Sequence, residues 1–563
     1  MRELVTEAAR NPGRRLIAVT LVLTVYAGLT AGLYRLLARQ GGTSAPSLQL
    51  VAGSSPPRRK IELRDGQFFV AGEQFVIKAV GWDPARPAEL PWNRRFVAAE
   101  VDADFRRIHE AGFNTVRTWA PMRTEELELA ARNQLRVLQG IWTPPDADFR
   151  DPELRRRILD QVARSVESSR WSPAILGYLV LNEPRASAVA HAGLDATTAY
   201  LREVVATVRA LDPSAPVGYA SWPGLEALDD DLLDFVAFNL YPHRPRVAMD
   251  ELGVVGYAGL LRDTIARGRP FIVSEFGLSV SPQVRAGRGG SSEREQADGL
   301  VAMASSFAAA GVAGTAVFQW NDGWWKNNDR AGDEFSHDPD DPEEWFGLIS
   351  FEGPGDRLGS PRPALAALAR YNRALVISPV ENARAQSSLP VRIFSDEPVQ
   401  AVATLDGARV PLLLTRTSSQ WLTGKLTIAQ PAEAHELRLE LRDHGDNVLG
   451  VESRSLRRSG EIAATPLLLL PRRLTVRPGA RFSLSVELPG AESKDVLLSA
   501  YSEDRYEEQP QVLRLDRAGR GRVTFTAPGE ETMLTVLALE QNGGKRAAPR
   551  RAGWAAVEVR KTP

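Results

Sequence analysis

Cysteine is absent from all 563 residues, which excludes disulfides, thiolate nucleophiles and cysteine-ligated zinc. The absence is compatible with an oxidising compartment. Histidine is scarce, with six copies and no HExxH pair, so a zinc hydrolase of that kind is disfavoured. No charge dominates either: 69 basic and 70 acidic residues leave a net −1, so no global field draws nucleic acid or another polyanion. The glycine-rich AGRGGSS at 286–292 lacks the Lys-Ser/Thr of a phosphate-binding loop and reads as a connector. GYASWPG at 218–224 is not G-x-S-x-G, so serine hydrolysis also lacks its mark.

Length comes first among what is present. A chain of 61.6 kDa exceeds what one hydrophobic core holds, and several domains are expected. Apolar content of 43% and charged content of 25% are those of folded globular protein. Leu16 to Tyr34 is a run of 19 residues without a charge, close to the length a bilayer core requires. Arg10, Arg14 and Arg15 precede it, and Arg35 and Arg39 follow. That bias predicts a single transmembrane helix within 1–40, its short tail cytoplasmic and the rest of the chain extracytoplasmic, periplasmic or extracellular. A cleaved signal peptide fits less well, because the run is long and no A-x-A site follows. Residues 41–60, rich in Gly, Ser and Pro, read as a linker.

From 61 to 378 short apolar runs alternate with amphipathic helical patterns. The runs are FVIKAV (75–80), NTVRTW (114–119), RVLQG (136–140), ILGYLVLN (175–182), VGYA (217–220), FVAFNLY (235–241), FIVSEFG (271–277) and GTAVFQW (314–320). After the fourth, Leu201, Val204, Val205, Val208 and Leu211 share one helical face. Asp151-Pro152 marks a helix start, with an N-cap and then proline at the first helical position. Eight such units predict an α/β fold, a (β/α)8 TIM barrel, in preference to an open doubly wound sheet. From 379 to 460, and again from 461 to 563, short alternating strands with frequent turns predict two all-β immunoglobulin-like sandwiches. They show no ligand motif and read as spacers or surface-docking modules.

Working residues in such a barrel stand where strands end. The strand ends here offer Trp82 and Asp83, Arg117 and Trp119, Trp142, Asn182 and Glu183, Asn239 and Tyr241, Glu275, then Trp320, Asn321 and Asp322. Strands four and seven lie across the mouth from one another, so Glu183 and Glu275 can face each other over a bound sugar. A carboxylic acid that protonates a leaving oxygen and a second carboxylate that attacks the anomeric carbon are what retaining glycoside cleavage needs. Arg117 and Tyr241 are placed to orient Glu275, Asn182 to reach a sugar 2-OH, and Trp320 to offer a flat face to the ring. Trp82, Trp119, Asn239 and Trp324 complete the expected substrate-binding set, and His243 lies just beyond Tyr241. No cofactor or metal is required.

The elements IWTPP, GYLVLNEP, FNLYP, IVSEFG and FQW, in this order across about 65–375, resemble the clan A glycoside hydrolases, nearest the barrel domain of family 2. Families 5 and 72 are resembled less closely, the latter through FVIKAVGWDPARP at strand one. The resemblance implies that Glu183, in Asn-Glu-Pro, is the acid/base and Glu275 the nucleophile. It also matches Arg117, Tyr241 and Trp320 to the clan's arginine, tyrosine and tryptophan. The departure is one of order, since family 2 enzymes usually carry sandwiches before the barrel and here they follow it.

The loop 321–360 holds 11 acidic residues against three basic ones, with Trp324, Trp325 and Trp345. It reads either as a cleft wall with stacking tryptophans or as an acidic insertion whose tryptophans pack on the barrel. Asp338, Asp340 and Asp341 do not have the spacing of an EF-hand. The expectation is thus a membrane-anchored retaining β-glycosidase or transglycosylase with an oligo- or polysaccharide substrate and no nucleic-acid partner. The alternative is a barrel that binds or scaffolds polysaccharide without turnover.

Overall fold

The computed structural model describes residues 60–228, 231–284, 289–326, 333–431, 433–457, 467–490, 494–503, 510–541 and 551–561. The expected membrane helix at 16–34 lies outside them. Among the described residues no helix is long and apolar enough to cross a membrane.

Three short antiparallel strands come first: β1 (Ile61–Arg64), β2 (Gln67–Val70) and β3 (Glu73–Phe75). This small sheet packs its one fully buried ring, Phe68, against Phe235 at 5.4 Å, in a cluster with Ile77, Leu138, Leu176 and Ile272 from the barrel strands.

The barrel strands follow as β4 (Ile77–Gly81), β5 (Thr115–Arg117), β6 (Arg136–Gly140), β7 (Ile175–Asn182), β8 (Val217–Ser221), β9 (Val236–Asn239), β10 (Phe271–Phe276) and β11 (Gly314–Val317). All eight pair in parallel and close, β11 joining β4. Each overlaps one of the eight apolar runs. Strands buried on both faces need no alternation, and β7 is buried at seven of its eight positions. The helices begin where their caps are. The Asp151 carboxylate accepts from the backbone N–H of Glu153 and Leu154, and Ser292 with Glu295 forms a reciprocal capping box.

Two β-sandwiches follow. In the first, a four-stranded sheet (Leu375–Ser378, Ser388–Phe394, Thr415–Ser418, Trp421–Thr427) faces another (Gln400–Leu405, Ala408–Val410, His435–Arg442, Val448–Leu456). The second sets three strands against five, the five including Asp495–Tyr501, Thr532–Glu540 and Ala552–Val559. Thr532–Glu540 is buried at every position. Leu534, Val536 and Ala538 face the sandwich core, while Met533, Leu537 and Leu539 join the core of the barrel. The second sandwich is therefore packed on the barrel through a shared core.

Candidate active site

Strands β5, β7, β9 and β10 deliver the residues at and just beyond their C-terminal ends to one open cleft. Trp119, Asn182, Glu183, Asn239, Tyr241 and Glu275 line it, together with His243.

Glu275, the last residue but one of β10, is almost wholly buried, and three donors hold it. Arg117 Nη2 lies 2.8 Å from Oε1, Trp119 Nε1 donates to the same oxygen at 2.9 Å, and Tyr241 OH donates to Oε2 at 3.1 Å. Burial pushes this carboxyl above its ordinary range, while Arg117, Lys326 and Tyr241 pull it back. The Trp119 indole reaches Glu275 because the neighbouring strands end in glycine. A Cβ on Gly81 would stand 2.6 Å from the Trp119 ring, and one on Gly140 would meet the Thr118–Trp119 backbone at 2.2 Å. The Arg117 guanidinium carbon stacks over the same indole, 4.1 Å from its centroid.

Glu183 has a different environment. It stands one residue beyond β7 with φ of 43°, in the left-handed region that costs a non-glycine residue energy. Its backbone N–H is tied to Ala220 O at 2.9 Å. Among the described residues one side-chain donor reaches it, Asn239 Nδ2 at 2.8 Å from Oε1. Ser274 Oγ donates to Asn239 Oδ1 at 2.7 Å and so fixes which end of that amide faces Glu183. Burial, and then the neighbouring Glu275 charge, pushes the Glu183 carboxyl up to about 8. Asn182 Oδ1 accepts from Arg117 Nη2, so one guanidinium touches both the amide beside Glu183 and the opposing Glu275.

Residues 61–296 match the model for the glycosyl hydrolases family 2, TIM barrel domain. The barrel is glycosyl hydrolase family 2-like. A beta-glucuronidase of Pongo abelii is 28% identical over 169 residues, covering 29% of this chain and 24% of that protein. The chain thus spans about a quarter of this curated relative. A b-glucuronidase from Ruminococcus gnavus, solved with C6-substituted uronic isofagomine, is 17% identical with a TM-score of 0.45, over 56% of this chain and 52% of that one. Beta-glucuronidase 3 of Bacteroides uniformis is 12% identical with a TM-score of 0.43, over 89% of this chain and 64% of that one. The family match is to family 2; the likeness to families 5 and 72 rests on the quoted segments alone.

Three of the expected tryptophans lie outside the cleft of this family 2-like barrel, and Arg117 is buried behind its wall, meeting it only through Glu275 and Asn182. Trp82 is 1% exposed, its Nε1 donating to Asp104 Oδ2 at 2.9 Å and its ring 4.8 Å from Phe105. Trp320 is fully buried beside Arg107, with its backbone paired to Gly81 and Ile349. Both indoles thus turn toward the helix Ala98–Glu110 that covers the barrel. The aromatic face strand eight presents to the cleft belongs to Phe318. Trp324 is 6% exposed and stacks on His337 at 5.0 Å, and His337 stacks on Trp345 at 3.4 Å. Trp324 and Trp345 thus stack on either side of His337, within the loop itself. Asp322 is likewise structural, in a buried two-pronged pair with Arg362 at 2.7 Å on each side.

The same loop nevertheless supplies Lys326 and Glu343 to the cleft wall, and Trp222, Pro223 and Arg244 line it from the loops after β8 and β9. The sequence reading missed all five. Lys326 Nζ sits 4.0 Å from the Phe318 centroid. A tryptophan in GYASWPG, directly after a barrel strand, was the one available signal for Trp222. Among the described residues no group of three or more His, Asp or Glu side chains is arranged to hold a metal ion.

Proposed function

We propose that the protein is a retaining β-glycoside hydrolase or transglycosylase working by double displacement. One observation carries this reading: two carboxylates share a cleft in unequal environments. Glu183 is raised to about 8, while Glu275 is held by a guanidinium, an indole N–H and a phenol. Glu275 attacks the anomeric carbon, and the glycosidic C–O bond breaks as Glu183 gives its proton to the leaving oxygen. Glu183, now a carboxylate, takes a proton from the incoming water or sugar hydroxyl. That oxygen displaces Glu275 and restores the starting state. Asn182 turns its Oδ1 to Arg117, which leaves its amide N–H groups for the sugar 2-OH.

A β-glucuronide is the first substrate to test. The beta-glucuronidase similarity supports it, as do Lys326 and Arg244 in the cleft wall, two cations for a sugar carboxylate. Resolving product sizes separates the two outcomes, since chain-lengthened products mark transfer and shortened ones hydrolysis. Anchoring by 16–34 and action outside the cytoplasm belong to the same proposal, supported by the uncharged run and the arginines before it. Membrane fractionation and protease accessibility of the barrel in whole cells test both.

Glu275→Ala is expected to abolish turnover. Glu183→Ala is expected to do so on unactivated glycosides and to regain turnover of an activated one with azide, giving a β-glycosyl azide. Substantial activity in Glu275→Ala would remove the mechanism.

A further inference from the structure

The segment after Glu183 is held by a residue more than three hundred positions away. Pro184 and Arg185 lead into the helix Ala186–Ala192, which has no side-chain cap of its own. Its first N–H, that of the fully buried Ala186, donates to Glu503 Oε2 of the second sandwich at 2.8 Å. Further along the same helical stretch, Glu531 Oε2 meets His191 Nδ1 at 3.1 Å and Glu558 Oε2 accepts from Leu194 N at 3.3 Å.

A second tie reaches the opposite side of this turn. Trp222 and Pro223 form part of the cleft wall, and Trp222 Nε1 donates to Pro184 O at 3.3 Å. Gly224 follows at φ of 105°, so close to the sandwich that a Cβ there would stand 2.9 Å from the carbonyl carbon of Ser502. Glu226 is 3% exposed. Its Oε1 accepts from Tyr257 OH at 3.2 Å and Tyr501 OH at 2.8 Å, and its Oε2 from Gly224 N at 3.0 Å and from Thr535 Oγ1. Tyr501 and Thr535 belong to the second sandwich. Burying a carboxylate is costly unless donors surround it, and here two of the four donors come from the other domain.

We propose that the second sandwich is a working part of the site. Glu503 and Glu226 are positioning residues, fixing the segments that carry Glu183 and the Trp222–Pro223 wall. The inference rests on Glu183 being the acid. Strain at Glu183 persists only where its surroundings over-determine it, and the sandwich supplies that constraint through Ala186, one turn of chain away. A shift of an acid by a fraction of an ångström is felt in proton transfer before it is felt in binding.

The test is made on the full chain with a methyl glycoside and a dinitrophenyl glycoside of one sugar. Dinitrophenolate leaves without a proton; methoxide does not. Glu503→Ala is expected to lower kcat/KM on the methyl glycoside about ten-fold more than on the dinitrophenyl one. Glu503→Gln, whose amide oxygen still accepts from Ala186 N–H, is expected to bring that ratio back to within about three-fold of the parent. Equal losses on both substrates, or none, would overturn the positioning role. Hydrogen exchange of a peptide spanning 183–192 is expected to quicken about ten-fold in Glu503→Ala, and unchanged exchange would also overturn it. Should Glu503→Ala not fold, Tyr501→Phe removes one donor from Glu226 and keeps the ring. The same substrate ratio and the exchange of 222–228 then decide. Undiminished turnover of the methyl glycoside in Glu183→Ala would instead remove Glu183 as the acid, leaving exchange to judge Glu503 alone.

Discussion

Arg117 Nη2 lies 2.8 Å from Glu275 Oε1, with both side chains withdrawn from solvent, and the same nitrogen donates to Asn182. One buried cation therefore opposes the effect of burial on the proposed nucleophile and fixes the amide next to the proposed acid. Arg117→Met, which retains much of the volume, is expected to lower kcat/KM by about 10²–10³-fold. Arg117→Lys should not restore it, because an ammonium lacks the planar guanidinium that stacks on Trp119 and so holds one nitrogen against both groups. Steady-state kinetics on folded variants checks this, and a loss under three-fold would remove Arg117 from the mechanism.

Trp119 shares that oxygen, with Nε1 2.9 Å from Glu275 Oε1. Trp119→Phe keeps an aromatic ring between Gly81 and Gly140 but deletes the donor. It should cost about ten-fold in kcat, of the order of one charge-assisted hydrogen bond. An unchanged kcat with a raised KM would make Trp119 a sugar platform instead.

The proton on Glu183 sets a pH dependence. A general acid that holds its proton up to about 8 gives a kcat/KM that falls as pH rises through that value. Glu183→Gln assayed on an activated glycoside should lose this limb. Stability follows the same proton. Between the ordinary carboxyl value near 4.5 and about 8 the native state holds a proton that the unfolded state releases, so this group lowers stability as pH rises across that window. Urea titrations at pH 5 and pH 8 should show a smaller drop in Glu183→Gln than in the parent.

His337, stacked between Trp324 and Trp345, behaves in the opposite sense. Burial pulls it down to about 3, so from 6.5 to about 3 the unfolded chain takes a proton that the native state refuses. Its contribution to stability is lost as pH falls through that window, and His337→Phe should flatten the dependence. His337→Ala leaves a gap between two indoles and is expected to cost about 2–4 kcal/mol, read from urea midpoints at pH 7.

Arg362 and Asp322 form a buried pair, and Asp322 Oδ1 also accepts from Gly347 N at 2.9 Å. Arg362→Ala strands a buried carboxylate and should destabilise the protein by about 3–5 kcal/mol. Replacing both partners, Asp322→Asn with Arg362→Met, should cost less than the single change, a comparison thermal or urea unfolding makes directly.

The eight barrel strands were legible because each is a short apolar run bounded by turn or helix signals, and strand ends in a barrel converge whatever the loops do. That logic brought Glu183, Glu275, Asn182, Asn239, Tyr241 and Trp119 to one cleft. It failed for Trp82 and Trp320. Being at a strand end does not say which side of the barrel wall a ring takes, and both turn outward onto the Ala98–Glu110 helix. Trp324 was misplaced because a loop has no periodicity to orient it, and its ring found His337 instead of the cleft.

The sequence by itself determined the periodic apolar runs, the helix cap at Asp151, and the two glutamates at the ends of strands four and seven. All of these are local, since each needs only its neighbours along the chain. Only the tertiary structure added the Trp119 indole N–H to the Arg117 and Tyr241 expected around Glu275, and set Asn239 at Glu183. It also decided that Thr532–Glu540 is buried on both faces and carries its sandwich onto the barrel. Burial and charge proximity act through space between residues tens to hundreds apart. The environment that separates an acid from a nucleophile therefore exists only once the barrel closes.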